Sequence, residues 1–536
     1  MAEASSVMMP HCLRAFFSYL LLTCDHINGK EIWENFKDSL CEGTREQQAL
    51  SDIERRLNGE DRSLADFGIE VEESLADAFD DGLEINEHQA LSLQIVNQLN
   101  EDQKEIFSEI SCSMAGANPV QKLFFIDGPG GTGKTFLYKT LYHHHKHLQK
   151  KIICVAWTGI AAILLPSGKT AHRVFKLPLQ MTSENAVKPM HLTRKAKQIL
   201  TEVDFVIWDE ASMIPAVALS IVDATLRDVM KSEEPFGGKF ILLGGDFRQV
   251  LPIVKKASRY QIIQSTLISS SLWPLFQRFH LKKNMRASDE YFSKWLLKVG
   301  DGEVDELKIP SNMRCSEGLI DALYSEGFAE DFLKSTVLLA SRNCEVDKLN
   351  SEVLKKLPGE IITSEGHGWA TAVDGDGTDN DDIMLRYQPE YLAALSPAGL
   401  PLQSLTLKVG AIVMLLRNMC IYYNGGLCNG DCELPFVLNR RQFPVRLAFA
   451  MTINKSQGQT FDRVGLYVDQ NRPIFGHGQL YVALSRCRTL NGIKEQMGSK
   501  TEDEQNAIHN IVFKEISKES KNNEFDLVRD TLFPQL

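Results

Sequence analysis

Short apolar runs that stop abruptly at polar, acidic or glycine-rich residues set the pattern of this chain from residue 123 onward. LFFID (123–127), IICVAW (152–157), FVIWDE (205–210) and FILLGGD (240–246) each hold a few large apolar residues and then break off. Continuous runs of this length, without polar alternation, suggest strands buried on both faces, as in parallel sheets. Helical segments lie between them, which predicts an α/β unit over 91–290. A second series, TVLLAS (336–341), AIVMLLRN (411–418), FPVRLAFAMTI (443–453) and VGLYV (464–468), predicts a second α/β unit over 291–536. Residues 1–90 read differently, as a helical segment whose end, DAFDDGLEINEHQ (77–89), suggests a linker or a solvated helix.

Charge sharpens this division. The chain of 536 residues carries a formal net charge of -12. Residues 51–90 hold thirteen Asp and Glu against three Arg, a local balance of -10, so the remainder is near neutral. Net charge therefore does not exclude a local basic groove for nucleic acid. The longest N-terminal apolar stretch, Ala15 to Thr23, is shorter than the ~20 residues a spanning helix needs, so no membrane is expected. Eleven scattered cysteines point to free thiols in a reducing compartment. Cys420, Cys428 and Cys432 lack a nearby histidine to complete a zinc set, and DGDGTDNDD (374–382) has Asp374 and Asp376 but not the glycine and distal glutamate of a calcium loop. His143 and His147 stand one turn apart on a predicted helix, with a solvated helical face as the expected reading.

The chemistry begins at Gly128-Pro129-Gly130-Gly131-Thr132-Gly133-Lys134-Thr135. This is G-x-x-x-x-G-K-[ST], preceded by an apolar strand and followed by a helix, as its mechanism requires. Glycines let backbone N–H groups wrap phosphates, and the helix N-terminus adds favourable potential. Lys134 is expected on the β- and γ-phosphates and Thr135 on Mg²⁺. The strand 203–208 ends in Asp209 and Glu210. Asp209 is the candidate Mg²⁺ partner and Glu210 the candidate base for the attacking water.

A phosphate loop and an acidic strand also suit kinases, GTPases and transporters. Three further blocks narrow the choice: Leu242 to Pro252 with Asp246 and Gln249, Asn284-Met285-Arg286, and Tyr481-Val-Ala-Leu-Ser485-Arg486-Cys-Arg488. A polar residue after a strand can sense the γ-phosphate. An arginine from a facing domain stabilises transition-state charge and ties hydrolysis to domain closure. A small-molecule kinase would lack the second unit that carries the last block.

Taken together, these blocks resemble the superfamily 1 DNA helicases of the PIF type, and most nearly the helicase region of Helitron transposons. The similarity runs from Leu99 to about Asn491. It includes Leu99-Asn-Glu-Asp-Gln103, Thr158-Gly-Ile-Ala-Ala162, Gly168-Lys-Thr170-Ala-His172 and the long block Arg440 to Thr460. The segments 13–38 and 510–516 resemble Helitron-type flanks less specifically. The resemblance implies two RecA-like motor domains using ATP and Mg²⁺ and moving 5′ to 3′ on single-stranded or forked DNA, in the nucleus. It implies Gln103 as the adenine contact, Gln249, Arg286 and Arg486 as the γ-phosphate set, and Gly458 beside the nucleotide. Thr158, Thr170, His172, Lys455 and Gln457 become candidate DNA contacts or couplers.

Two departures from that family shape the expectation. No rolling-circle nuclease precedes the motor in this sequence, so autonomous transposition is not expected. Leu427-Cys-Asn-Gly430 is followed by only DCELPFVLN before Arg440, so the β-barrel insertion near 405–440 is expected to be short. That leaves the ATPase intact and puts duplex separation in question. An ATP-gated DNA-binding protein that does not unwind, and an RNA helicase, remain as other readings.

Overall fold

In the computed structural model the described residues are 10–23, 28–41, 46–57, 64–69, 81–116, 121–178, 181, 187–254, 257–286, 289–308, 310, 313–315, 318–371, 387–395, 401–416, 427–430, 437–469, 473–498 and 507–516. Asp374, Asp376, Cys420 and Cys432 lie outside them, as do residues 431–436 of the stretch after Gly430. The chain divides into two compact units, residues 1–78 with 358–447 and residues 79–357 with 448–536.

The larger unit contains both parallel sheets. In its first lobe the strands are β1 (Leu123–Asp127), β2 (Ile152–Ala156), β3 (Lys169–Thr170), β4 (Phe205–Asp209), β5 (Phe240–Gly245) and β6 (Gln277–His280). They form one parallel sheet in the order β3-β2-β4-β5-β1-β6. Every residue of β1, β2 and β4 is buried, which accounts for the uninterrupted apolar runs. Its two apolar cores lie on opposite faces, one around Trp208, Phe175 and Trp273, the other around Phe124, Leu137 and Ile207. The second lobe has a four-stranded parallel sheet of β7 (Thr336–Ala340), β8 (Ala450–Thr452), β9 (Arg463–Asp469) and β10 (Ile493–Gly498), in the order β8-β7-β9-β10. The two-sheet α/β architecture expected from the apolar runs is thus present.

The structure corrects the sequence reading in two places. AIVMLLRN is not a buried strand of the second lobe. Val413–Leu415 pairs antiparallel with Val445–Leu447 in the smaller unit, and Val413 and Leu415 are 42% and 50% exposed. FPVRLAFAMTI is split, its first half in that pairing and its second half becoming β8. Of the linker or solvated helix expected at 77–89, the described residues 81–89 lead into helix α1 (Ile85–Val96), exposed at Ile85, Asn86 and Glu87 and part of the larger unit.

Helix α2 (Glu101–Ala115) begins with a reciprocal cap between Asn100 and Gln103. Helix α3 (Lys134–His147) leaves the phosphate loop and carries the histidines. Their surface is not solvated. His145 is 2% exposed, His143 meets His88 of α1 at 3.0 Å, and His144 meets Ser92. Asp81 holds the other nitrogen of His88 at 3.2 Å and accepts from Tyr142 at 2.7 Å. Burial lowers the pKa of His143, His144 and His145, the last to about 3. These histidines therefore serve as neutral hydrogen-bonding spacers between helices. Among the described residues no three His, Cys, Asp or Glu side chains form a metal cluster.

The smaller unit has two parts. Helices Pro10–Thr23, Gly29–Cys41 and Glu46–Leu57 share an apolar core that includes Phe17, Trp33, Leu40 and Ile53. Residues 358–447 supply short antiparallel pairings, among them His367–Thr371 with Val437–Arg441 and Ile362–Glu365 with Ser404–Leu407. The insertion expected near 405–440 falls within this stretch. Arg440 is fully buried there and donates to the carbonyls of Leu392, Leu395 and Pro401 at 2.8, 3.1 and 3.0 Å. No helix among the described residues is long and apolar enough to cross a membrane.

Candidate functional site: a nucleotide cleft between two motor lobes

The carboxyl ends of β1, β4 and β5 deliver the phosphate loop, the two acids and the Gly-Gly-Asp segment to one edge of the first sheet. Ligands of open α/β sheets bind at such edges. Gly131 and Gly133 adopt φ values of +91° and +84°, left-handed conformations that favour glycine. Side chains there would also collide. A Cβ on Gly131 would lie 2.7 Å from Asn284 and Arg286, and one on Gly133 would lie 2.5 Å from Gln103. Lys134 turns its ammonium onto the carbonyl of Gly128, and Thr132 donates to Pro129 at 2.9 Å. The structure places Gln103 behind this loop rather than in the cleft. Its amide donates to Thr132 O at 3.2 Å and its oxygen accepts from Asn100 N, so both ends are occupied by the protein.

One cleft is lined by Gly130, Gly131, Gly133, Lys134, Thr135, Asp209, Glu210, Gln249, Arg286, Gly458 and Arg486. All eleven are nucleotide-site residues selected from the sequence in both lobes; Met285, Ala161 and Leu164 add an apolar margin. Gly128 and Pro129 form the start of the loop, with Gly128 donating to Gly245 O at 3.1 Å. Glu210 sits in a left-handed conformation at φ +58°, a strained geometry for a non-glycine residue and one that recurs at functional sites. Burial and neighbouring Asp209 push its carboxyl up to about 7, opposed by Lys134, Arg486 and the hydrogen bond from Gln457. Burial also raises Asp209, whose Oδ1 accepts from the Glu210 amide at 2.9 Å. Two adjacent buried carboxylates beside a cleft, with the Thr135 hydroxyl on its wall, suit a hard divalent cation such as Mg²⁺.

The second lobe closes the cleft. Arg486 is 2% exposed and donates to the carbonyls of Val482 and Gln459 at 3.0 and 3.1 Å and to the Ser485 hydroxyl at 2.9 Å. Arg286 reaches Ser485 O at 3.4 Å, while burial and the Arg486 charge bring its pKa down to about 10. A buried and a half-buried cation facing one space favour an anion between them. Gln249 donates to Asp246 at 3.2 Å, and its buried Oε1 has no protein partner. Gln457 donates to Glu210 at 2.6 Å, and its Oε1 is likewise unpartnered. These two acceptors are suited to a bound water or hydroxyl.

This corrects the grouping of Gln457 with the DNA candidates. At 3% exposure it is closed off from a passing strand and belongs to the nucleotide side. The remaining candidates are elsewhere. Thr158 and Thr170 accept from the amides of Ala161 and Arg173, both at 3.3 Å, and so cap the short helices that follow. His172 packs against Trp157 with ring centroids 4.5 Å apart and the rings tilted by 54°, and Lys455 is exposed. Phe175 is core, stacked on Trp208. Sequence reasoning assigned no role to Asn284, which donates to Gly130 O at 3.2 Å, or to Tyr481. Both lie inside blocks already singled out, and their adjacency to Arg286 and Arg486 was the available signal.

Known proteins resemble the chain over the lobe that carries the phosphate loop. Residues 98–309 match the PIF1-like helicase family, and residues 390–432 match the family described as DNA helicase Pif1, 2B domain. An ATP-dependent DNA helicase PIF1 of Danio rerio is 28% identical over 451 residues, covering 76% of this chain and 62% of that protein. The human protein of the same name is 28% identical over 417 residues, covering 70% of this chain and 58% of it. The chain thus spans about three fifths of the length of these vertebrate relatives. The crystal structure of Bacteroides Pif1 bound to ssDNA aligns with a TM-score of 0.53 at 26% identity, over 74% of this chain and 92% of that one. A structure describing DNA unwinding at forked dsDNA by two coordinating Pif1 helicases aligns equally well, with a TM-score of 0.53. By sequence and by fold the chain is similar to the PIF1-like helicases, with residues 98–309 forming the matched region.

Proposed function

We propose that this protein is an ATP-driven DNA motor that moves 5′ to 3′ on single-stranded DNA and engages forked DNA. The observation that carries the reading is the joining of both lobes at one cleft. Glu210 of the first lobe is held by Gln457 of the second, and Arg486 of the second lobe lines the wall opposite the phosphate loop. Hydrolysis then depends on lobe closure, which is how a motor ties chemistry to movement.

In the proposed reaction Lys134 and the loop amides hold the β- and γ-phosphates. Mg²⁺, held by Thr135 and Asp209, would supply charge neutralisation for the phosphates. Glu210 accepts a proton from the attacking water, whose oxygen bonds to the γ-phosphorus as the bond to ADP breaks. Gln249 and Gln457 orient that water. Arg286 and Arg486 balance the charge that develops on the transferred group. The named activity and DNA ligands of Pif1 relatives support this assignment, and the 5′ to 3′ polarity and nuclear location rest on the family likeness. Helitron kinship rests on the blocks between Leu99 and Asn491, with the N-terminal and 510–516 segments as less specific support.

Mg-ATP hydrolysis with and without a single-stranded DNA oligonucleotide tests the proposal, with Lys134→Ala as the blank. Strong stimulation lost in the variant is expected. Hydrolysis indifferent to DNA, or stimulated only by RNA, would overturn it. A strand-displacement assay then separates an unwinding helicase from an ATP-gated binder, the alternative raised by the short stretch between Gly430 and Arg440.

A further inference from the structure

Helix α4 (Gln479–Ser485) ends next to Arg486, yet its most connected side chain points elsewhere. Tyr481 is 2% exposed. Its hydroxyl accepts from the backbone N–H of Gly130 at 3.0 Å and donates to Asp246 at 2.9 Å. The same Asp246 carboxylate accepts from the Arg248 amide at 3.2 Å, the Arg248 guanidinium at 3.4 Å and Gln249 at 3.2 Å. One oxygen from the second lobe therefore joins two loops of the first, the phosphate loop and the segment bearing Gln249.

Two glycines make room for this bridge. A Cβ on Gly300 would stand 2.8 Å from the Tyr481 ring. A Cβ on Gly478 would stand 2.3 Å from the carbonyl of Arg248, so the start of α4 lies directly against the Gln249 segment. The phenol is neutral, because burial and the Asp246 carboxylate raise its pKa far above the usual value. It keeps its proton and can donate and accept at once.

We propose that Tyr481 is a positioning residue that senses lobe closure, its hydroxyl holding the phosphate loop and the γ-phosphate sensor Gln249 in register only while the second lobe is docked. When the lobes part, the Gly130 amide and the Asp246 carboxylate lose one shared partner together. The Asp246 acceptor that orients Gln249 then loses its tie to the phosphate loop, and Arg486, carried on the same helix end, withdraws in the same motion. A purely structural tyrosine would add stability without this coupling. The inference rests on the ATPase reading above for its kinetic test but not for its structural one.

The experiment pairs Tyr481→Phe with Asp246→Asn and the double variant. Tyr481→Phe keeps the ring and removes only the bridge. We expect DNA-stimulated kcat to fall about tenfold with the ATP KM within twofold, while binding of a non-hydrolysable ATP analogue is kept. The double variant should be no worse than the more impaired single one, since both break one connection. A kcat within twofold of the parent, or losses that simply multiply, would overturn the proposal. Hydrogen exchange on the unaltered protein decides independently of turnover or of how the variants fold. The amides of Gly130, Arg248 and Gln249 should open with the same free energy as those of α4, and independent opening of the two loops would sink the idea.

Discussion

The nucleotide cleft and the candidate strand-contact residues are built on opposite terms. In the cleft, Asp209, Glu210, Gln249, Gln457 and Arg486 are each less than 10% exposed, and each has at least one side-chain atom fixed by a protein hydrogen bond. Thr158, Thr170, His172 and Lys455 are half-buried or exposed, and the two threonines are already used as helix caps. The difference follows from the ligands. Phosphoryl transfer demands fixed charges in a dry, preorganised site. A strand of any sequence is held by many weak, interchangeable contacts to backbone and base faces. The cleft should therefore fail abruptly at single positions, and the strand contacts should fade by degrees.

The largest expected effect breaks the cleft. Glu210→Gln removes the proton acceptor but keeps an amide in place, and kcat should fall by about 10³-fold, within the range for a lost general base, with nucleotide binding retained. Arg486→Ala should cost at least as much, given the ~10³–10⁵ typical of an arginine that stabilises the transferred phosphoryl group. Rapid-quench measurement of ADP formation checks both. If either variant lost less than tenfold, the cleft would be as forgiving as the strand contacts and the contrast would collapse.

A second prediction concerns what keeps the lobes together behind the cleft. His477, just ahead of α4, accepts from the Phe513 amide at its Nδ1 at 2.8 Å, so its Nε2 bears the proton and donates to Phe247 O at 2.9 Å. Phe513 and Ile516 are buried in the core of the first lobe, and Arg259 pairs with Glu515 at 2.6 Å. Residues 507–509 pair with 306–308 at the other end of the strap. Phe513→Ala should lower unfolding stability by about 3 kcal/mol, read from a denaturant midpoint. Burial pulls His477 down to about 4. The unfolded chain then takes up a proton near the ordinary value of about 6.5, while the folded chain refuses it until about 4. This contribution is complete above about 6.5 and is lost as pH falls toward 4, a slope that His477→Gln should flatten.

What was legible in the sequence divides along the same line. The four all-apolar runs became β1, β2, β4 and β5 because strands buried on both faces leave no room for polar residues. The edge strands β3 (Lys169–Thr170) and β6 (Gln277–His280) carry no such run and gave no signal. Val413–Leu415 misled in the other direction, since its apolar residues sit on an exposed antiparallel pair. The cleft was readable because its chemistry permits few residue types at fixed spacing. Gln457 was misassigned and Tyr481 passed over because a pairing over 247 or 351 positions leaves no local pattern. His143 and His144 looked solvated for the same reason, their partners His88 and Ser92 being more than 50 residues away.

A smaller effect sharpens the cleft itself. With the Glu210 carboxyl at about 7, the base is protonated and idle below that pH and active above it. The kcat/KM profile for ATP should therefore rise through an acid limb near 7 in the free enzyme. Gln457→Leu removes a hydrogen bond that favours the carboxylate, so it should move the limb to higher pH. Movement to lower pH, or none, would mean that Gln457 does not act on Glu210.

The smallest effect lies on the strand side, where a helix cap and a DNA contact must be told apart. Thr170→Ser retains the cap oxygen, whereas Thr170→Val removes it and keeps the shape. Losing the cap should cost about 1 kcal/mol of stability. If Thr170 also touches the strand through its hydroxyl, Thr170→Val should raise the DNA concentration for half-maximal stimulation a few-fold, while Thr170→Ser and the DNA-free ATPase stay near the parent values. A loss of stability with unchanged DNA dependence would make Thr170 a cap alone and move the strand path toward His172 and Lys455. The small size of the effect is itself the point. A single contact of the many along a strand carries a small share of the binding energy, whereas the cleft gathers its energy on a few buried charges.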